Sequence, residues 1–148
     1  MEKIILKSDL EDQQKYWKHN RKVWVNALRS GKYQQTIEFL GIDLKLDGKI
    51  SHCCLGVGAE ICGLNKGILN EITGVIQYGQ GEEETAPEVF MNAVGLRTSE
   101  GSFAFPIDND FLYCHSLVDY NDNGLTFDQI ADIIEYEPTG LFEEAENG

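Results

Sequence analysis

Residues 53–62 read Cys53-Cys54-Leu55-Gly56-Val57-Gly58-Ala59-Glu60-Ile61-Cys62, an apolar run with two glycines inside it. The run predicts a short buried helix that stops at Gly63. Each internal glycine lowers helix stability by about 1 kcal/mol relative to alanine. Two such losses in one short helix make sense where a second backbone packs closely against it. The sequence shows no internal repeat and no linker long enough to separate domains.

Around that centre the pattern alternates helix and strand signals. Residues 9–30 predict one long helix: Trp17, Trp24 and Leu28 fall on one stripe, Leu10, Val23 and Ala27 widen it, and Gly31 follows as a stop. Its other face carries Lys15, Lys18, Arg21 and Lys22. Residues 33–51 hold β-type runs (33–40, 42–46 and 49–52) broken by Gly41 and by Asp47-Gly48, a hairpin signal. A strand is expected over 72–78, then an acidic loop over 79–86. Pro87 suits the first position of a helix running to Val94 with Gly95 at its end. Ser102–Phe105 is a further candidate strand, and 109–120 fits a helix better than a strand. Thr126 and Gln129 form a capping box for a last helix whose apolar face is Phe127, Ile130, Ala131 and Ile134. The expected fold is α+β, four to five helices packed on a small, mostly antiparallel sheet. It forms a single domain over 1–136, and a frayed acidic tail over 137–148 follows.

Charge is unevenly placed. Residues 82–148 hold sixteen Asp and Glu against Arg97 alone, about −15. Residues 1–81 hold nine acids against eleven Lys and Arg, about +2, which together give the formal −13. Such a balance argues against direct nucleic-acid binding, which needs clustered cations, and against anionic membrane surfaces. Residues 1–20 have no apolar core like that of a signal peptide, and no run approaches the roughly 20 apolar residues of a membrane span. A cytoplasmic location with reduced thiols at Cys53, Cys54, Cys62 and Cys114 is expected.

Three ordered pieces carry a family resemblance. The first is Trp24, then Ala27-Leu28-Arg29-Ser30-Gly31-Lys32-Tyr33 and Gln35. The second is Cys53-Cys54-Leu55-Gly56-Val57 with Cys62 behind it. The third is Asn121-Asp122, Gly124, Phe127, Ile130-Ala131 and Ile134-Glu135. Over Trp24 to Glu135 the chain resembles a widespread family of small phage-encoded proteins that has no settled reaction. It departs from that family between Gln35 and His52, where this chain is apolar and acidic rather than basic and glycine-rich. The resemblance implies a phage accessory protein in an infected bacterial cytoplasm. Small phage proteins of this kind often blunt host defence, by capturing a nucleotide signal or by occluding a host protein.

Four sites compete for a chemical role. His52, Cys53, Cys54, Cys62, Cys114 and His115 are soft zinc ligands, but no Cys-x-x-Cys pair exists, and helical residues 54 and 62 stand about 12 Å apart. Cys53 or Cys54 at a helix start, with His115 as base, fits a cysteine-dependent enzyme; their apolar company fits packing better. Residues 119–124 match the first half of an EF-hand loop, yet position 12 is Ile130 rather than a bidentate Glu. Gly79-Gln80-Gly81 lacks the third glycine of a dinucleotide fingerprint. The reading is therefore a binder rather than an enzyme, with no catalytic residue, no metal and no cofactor. Its expected partner is a small nucleotide, held by Arg29, Tyr33, Gln35, Arg97, Asn121 and Asp122. The alternative partner is a basic, nucleic-acid-binding surface of a host defence protein, which the acidic half docks on. Head-to-tail homo-oligomers are also conceivable for a chain with one basic helix face and one acidic half.

Overall fold

A computed structural model describes residues 2–64, 66–104 and 115–144. Among them are six helices and four short strands: α1 (Leu10–Gln14), α2 (Trp17–Arg29), β1 (Gln34–Gln35), β2 (Ser51–His52), α3 (Cys54–Ile61), β3 (Lys66–Leu69), β4 (Ile76–Tyr78), α4 (Glu88–Val94), α5 (Leu117–Asp122) and α6 (Phe127–Tyr136). The fold is mixed α+β. Phe105, residues 109–114 with Cys114, and residues 145–148 lie outside the described residues.

α2 is the central strut. Trp17, Val23, Trp24, Val25 and Leu28 are buried, and the helix packs on α6, α3 and α4. Trp24 is fully buried. Its indole N–H donates to the Cys54 carbonyl at 3.1 Å, and its ring meets Phe90 edge-to-face at 4.8 Å. α3 fits into this corner because of its glycines. A Cβ on Gly56 would lie 1.7 Å from the Leu40 carbonyl oxygen, and one on Gly58 would lie 2.3 Å from the Phe90 ring. The close backbone approach expected from the sequence is the Leu40 segment.

The expected 9–30 helix is two helices. Asp9 caps α1 through the Glu11 N–H, and Tyr16 (φ −108°, ψ 0°) separates α1 from α2. The apolar stripe belongs to α2 alone, since Leu10 is exposed. What holds α1 is polar. The Gln13 amide donates to the Ile5 carbonyl and accepts from the Lys7 N–H, and the Asn20 amide binds both backbone groups of Ile5.

Among the described residues, a single, mostly antiparallel sheet does not form. β1 and β2 pair in parallel (Gln34 with Ser51, Gln35 with His52), and β3 and β4 pair antiparallel; single bridges from Ile42 to Ser51 and to Val75 link them. The expected 33–51 runs form strand only at Gln34–Gln35 and Ser51–His52, with Ile42 bridging Ser51 across the Asp47-Gly48 turn; between them Leu40 and Ile42 turn inward singly, while Ile37, Leu44 and Leu46 stay exposed. Glu38 (φ 72°), Leu46 (φ 52°) and Gly48 (φ 87°) break the extended backbone between them. The buried Asp43 carboxylate accepts from the Asp47 and Gly48 N–H groups and shapes the Asp-Gly turn.

α4 matches its expected end, with Gly95 left-handed (φ 72°), although Pro87 is the cap rather than the first helical residue. The Thr126–Gln129 capping box is present on α6. Ser102 makes one bridge, to Ser116, and α5 begins after it. The expected tail does not fray at Glu137. Leu141 and Phe142 are buried, Leu96 bridges Phe142, and the Arg97 N–H donates to the Leu141 carbonyl at 3.0 Å. Two large apolar side chains, five and six residues past the end of α6, carry this segment back onto residues 95–97, just past α4.

Candidate functional site

A cleft of about 530 Å³ opens beside Tyr33. One wall is the extended N-terminal segment Glu2-Lys3-Ile4, and the opposite wall is the end of α3 with Ile61, Cys62 and Gly63. Val23, Asn26, Ala27 and Ser30 of α2 form the floor, and Lys32 and Tyr33 close one end. The N-terminal wall is fixed at Ile5 by the Asn20 and Gln13 amides described above. Further out, His19 Nε2 meets the Lys3 carbonyl at 2.8 Å. Lys3 and Lys32 both line the cleft, so two cations border a largely apolar space. Tyr33 turns the edge of its ring against His52 (centroids 5.6 Å apart, 88° between planes). Burial, and then the nearby Glu60 charge, push its phenol above the usual range. It stays a neutral O–H donor at neutral pH.

Behind Tyr33 lies a buried polar group. His52 Nε2 is 3.4 Å from Glu60 Oε2 and 3.4 Å from the Tyr78 hydroxyl, and that hydroxyl donates to the same Glu60 oxygen at 3.3 Å. His52 Nδ1 is buried with no hydrogen-bond partner among the described residues. Burial favours the protonated form of the thiols nearby. Burial pushes Cys53 up to about 11, Cys54 well above the ordinary thiol range, and Cys62 up to about 12. Cys53 caps α3 but is 3% exposed, so desolvation outweighs the help of the helix start. The 119–122 run is helical rather than an EF-hand loop, and the Asp119 carboxylate accepts from the His115 N–H at 3.3 Å. Among the described residues no three His, Cys, Asp or Glu side chains converge as a metal site, and no helix is long and apolar enough to cross a membrane.

The six residues expected to hold a ligand are scattered. Tyr33 lines the cleft. Gln35, Asn121 and Asp122 come together elsewhere, as a junction between α5 and the strands. The Gln35 amide donates to Asn121 Oδ1 (2.9 Å) and to the Leu125 carbonyl (2.8 Å). Asn121, 1% exposed, also accepts from the Cys54 N–H and donates to the Thr36 carbonyl. Asp122 accepts from the Glu38 N–H at 2.8 Å. Arg29 faces α6 and binds Asp132 (2.7 Å) and Glu135 (2.6 Å), with Asp128 at 3.8 Å. Arg97 lies 3.8 Å from Glu143, at a groove formed with Glu144 and α4. Lys3 and Asn26 join the cleft without any motif to mark them; Lys32 and Cys62 also join it, and lie in the first and second resembling pieces without being among the six residues expected to hold a ligand.

The charge asymmetry is partly met inside the molecule. Arg21 pairs with Glu137 at 2.8 Å, and Arg29 with the α6 acids, so the basic helix lies on the acidic one. Residues 17–138 match the family model described as a domain of unknown function (DUF8296). No curated protein and no solved structure matches the chain.

Proposed function

The chain belongs to the DUF8296 family, and we propose that this member of it works by holding a small ligand in the cleft beside Tyr33 and leaving that ligand intact. The ligand class is a nucleotide. In the setting implied by the resemblance to phage proteins, it is a host defence signal removed from circulation. The observation that carries the reading is the cleft itself. Its volume, about 530 Å³, falls in the range of small-molecule sites. It offers an aromatic wall at Tyr33, an amide at Asn26 and cations at Lys3 and Lys32. Holding rather than converting is supported by thiols kept protonated by burial.

The test is a melting-temperature screen of the full chain against cyclic dinucleotides, ADP-ribose derivatives and mononucleotides, with mass spectrometry of anything released on heating. A ligand at a hundred times its Kd adds about 2.7 kcal/mol, a rise of roughly 5–10 °C for a chain of this size. The released molecule should have its original mass, and Tyr33→Ala should lose the shift. A flat response across the panel, or recovery of a cleaved product, overturns the reading.

The second reading is an acidic inhibitor that docks on a basic, nucleic-acid-binding surface of a host protein. A net charge of −13 supports it, and the internal pairing of α2 with α6 weakens it. Docking predicts capture from host lysate that falls steeply between low and high salt; capture indifferent to salt rejects it.

A further inference from the structure

Asn26 lines two cavities. One is the cleft beside Tyr33; the other is a groove of about 270 Å³ between α2 and α6, which Lys18, Arg21, Lys22, Glu135 and Glu137 also border. The groove's charges are not all balanced. Glu137 is bound by Arg21 at 2.8 Å and Glu135 by Arg29 at 2.6 Å, so both carboxylates already have a guanidinium. Lys18 and Lys22, both exposed, have no carboxylate within 4.0 Å among the described residues. They stand at i and i+4 on α2, and Asn26 continues the same row at i+8. A like-charge pair at that spacing destabilises a helix, and a bound anion relieves it. Lys18 and Lys22 therefore leave the groove two cations that no neighbouring carboxylate holds.

We infer that the ligand is elongated, with a planar ring in the cleft against Tyr33 and a phosphate or similar oxyanion laid across Asn26 onto Lys22 and Lys18. Along α2, Lys22 is about 6 Å and Lys18 about 12 Å from Asn26, so the anion lies one to two helical turns beyond that residue. The Asn26 amide donates at the saddle, and the lysine ammonium groups act as mobile point charges at the far end. This inference rests on the cleft being the binding site and adds what lies beyond its rim. A ring compound without the oxyanion satisfies the cleft alone, and so should bind more weakly.

Calorimetric titration of the full chain with adenosine, guanosine and their diphosphates separates the two claims. In the unmodified protein at least one diphosphate should bind about tenfold or more tighter than its nucleoside. Lys18→Gln with Lys22→Gln should remove that advantage and leave nucleoside affinity unchanged, whereas Tyr33→Ala should weaken nucleoside and diphosphate alike. Both lysines are exposed, so the double variant should keep the parent's circular dichroism. If nucleoside and diphosphate bind equally, or the advantage survives the double variant, the inference falls and the cleft reading stands. If nothing binds in a way that depends on Tyr33, both fall together.

Discussion

Gly56→Ala is the sharpest perturbation of this fold, because two effects of opposite sign meet at one atom. In a helix interior, alanine is favoured over glycine by about 1 kcal/mol, so on helix propensity alone the change stabilises α3. The added Cβ, however, would sit 1.7 Å from the Leu40 carbonyl oxygen, 2.6 Å from its carbon and 2.9 Å from its Cα. Carbon–oxygen contacts settle at about 3.3 Å, so the Leu40 backbone must retreat by about 1.6 Å. No side-chain rotation can provide that movement. The retreat strains two neighbouring hydrogen bonds, Leu40 N–H to the Glu83 carbonyl (2.7 Å) and Cys53 N–H to the Phe39 carbonyl (3.2 Å). Each is worth about 1 kcal/mol net, and overpacking adds about 1–3 kcal/mol. After subtracting the propensity gain, a loss of about 2–4 kcal/mol is expected. Urea unfolding followed by tryptophan fluorescence should show the midpoint falling by roughly 1–2 M at unchanged slope, for a slope near 2 kcal/mol/M. Gly58→Ala meets the Phe90 ring, which can shift, and should cost less. Gly63→Ala has open space but φ 69°, and should cost about 1–2 kcal/mol through backbone strain alone. A Gly56→Ala midpoint equal to or above the parent's refutes the close-approach argument.

Asn121→Ala should lose about 3 kcal/mol in the same assay, because it orphans the buried Cys54 N–H and the Thr36 carbonyl and frees Gln35; a loss below 1 kcal/mol counts against the junction. Arg29→Ala should cost at most about 1 kcal/mol, since its carboxylate partners are mostly exposed, and the difference should disappear in 1 M salt. Stability should fall with alkaline pH. The folded thiols of Cys53 and Cys62 keep their protons up to about 11 and about 12, while unfolded thiols release theirs near 9. Between those values the unfolded state binds fewer protons, so each retained proton lowers stability by about 1.4 kcal/mol per pH unit. The stability these thiols contribute is therefore fully present below pH 9, and denaturant titrations at pH 8, 9 and 10 check the sign. Iodoacetamide at neutral pH should leave Cys53 and Cys54 unmodified in peptide maps of the native protein and modify both in urea.

Short-range signals were legible wherever one element supplies its own reasons. The Thr126–Gln129 box, the left-handed Gly95 stop, the α2 stripe and the glycine-bearing α3 each depend on residues within a turn or two of one another. The readings that failed did so where a distant partner took over. The 33–51 alternation resembles strand, but Leu40 is held by α3 and the Glu83 carbonyl instead of a ladder. Glu137 onward looks like a tail by composition, yet Leu141 and Phe142 are buried and pair with Arg97 and Leu96, just past α4. Of the residues expected to bind a ligand, Gln35 and Asn121 satisfy each other across 86 positions, and Arg29 satisfies α6. No local pattern distinguishes a polar side chain turned toward a ligand from one turned toward its own chain.

By itself, then, the sequence determined the apolar stripe of α2, the Gly95 stop of α4, the Thr126–Gln129 cap of α6, the buried thiol-and-glycine segment and the lopsided charge. Periodicity, capping and net charge are properties of neighbouring residues or of simple sums. Only the tertiary structure decided where a cleft opens. Its lining brings residues 2–4 together with α2 and the end of α3, and the Gln13 and Asn20 amides fix the N-terminal segment at Ile5. Both are contacts between segments far apart in the chain, fixed by packing and hydrogen-bond saturation rather than by local preference.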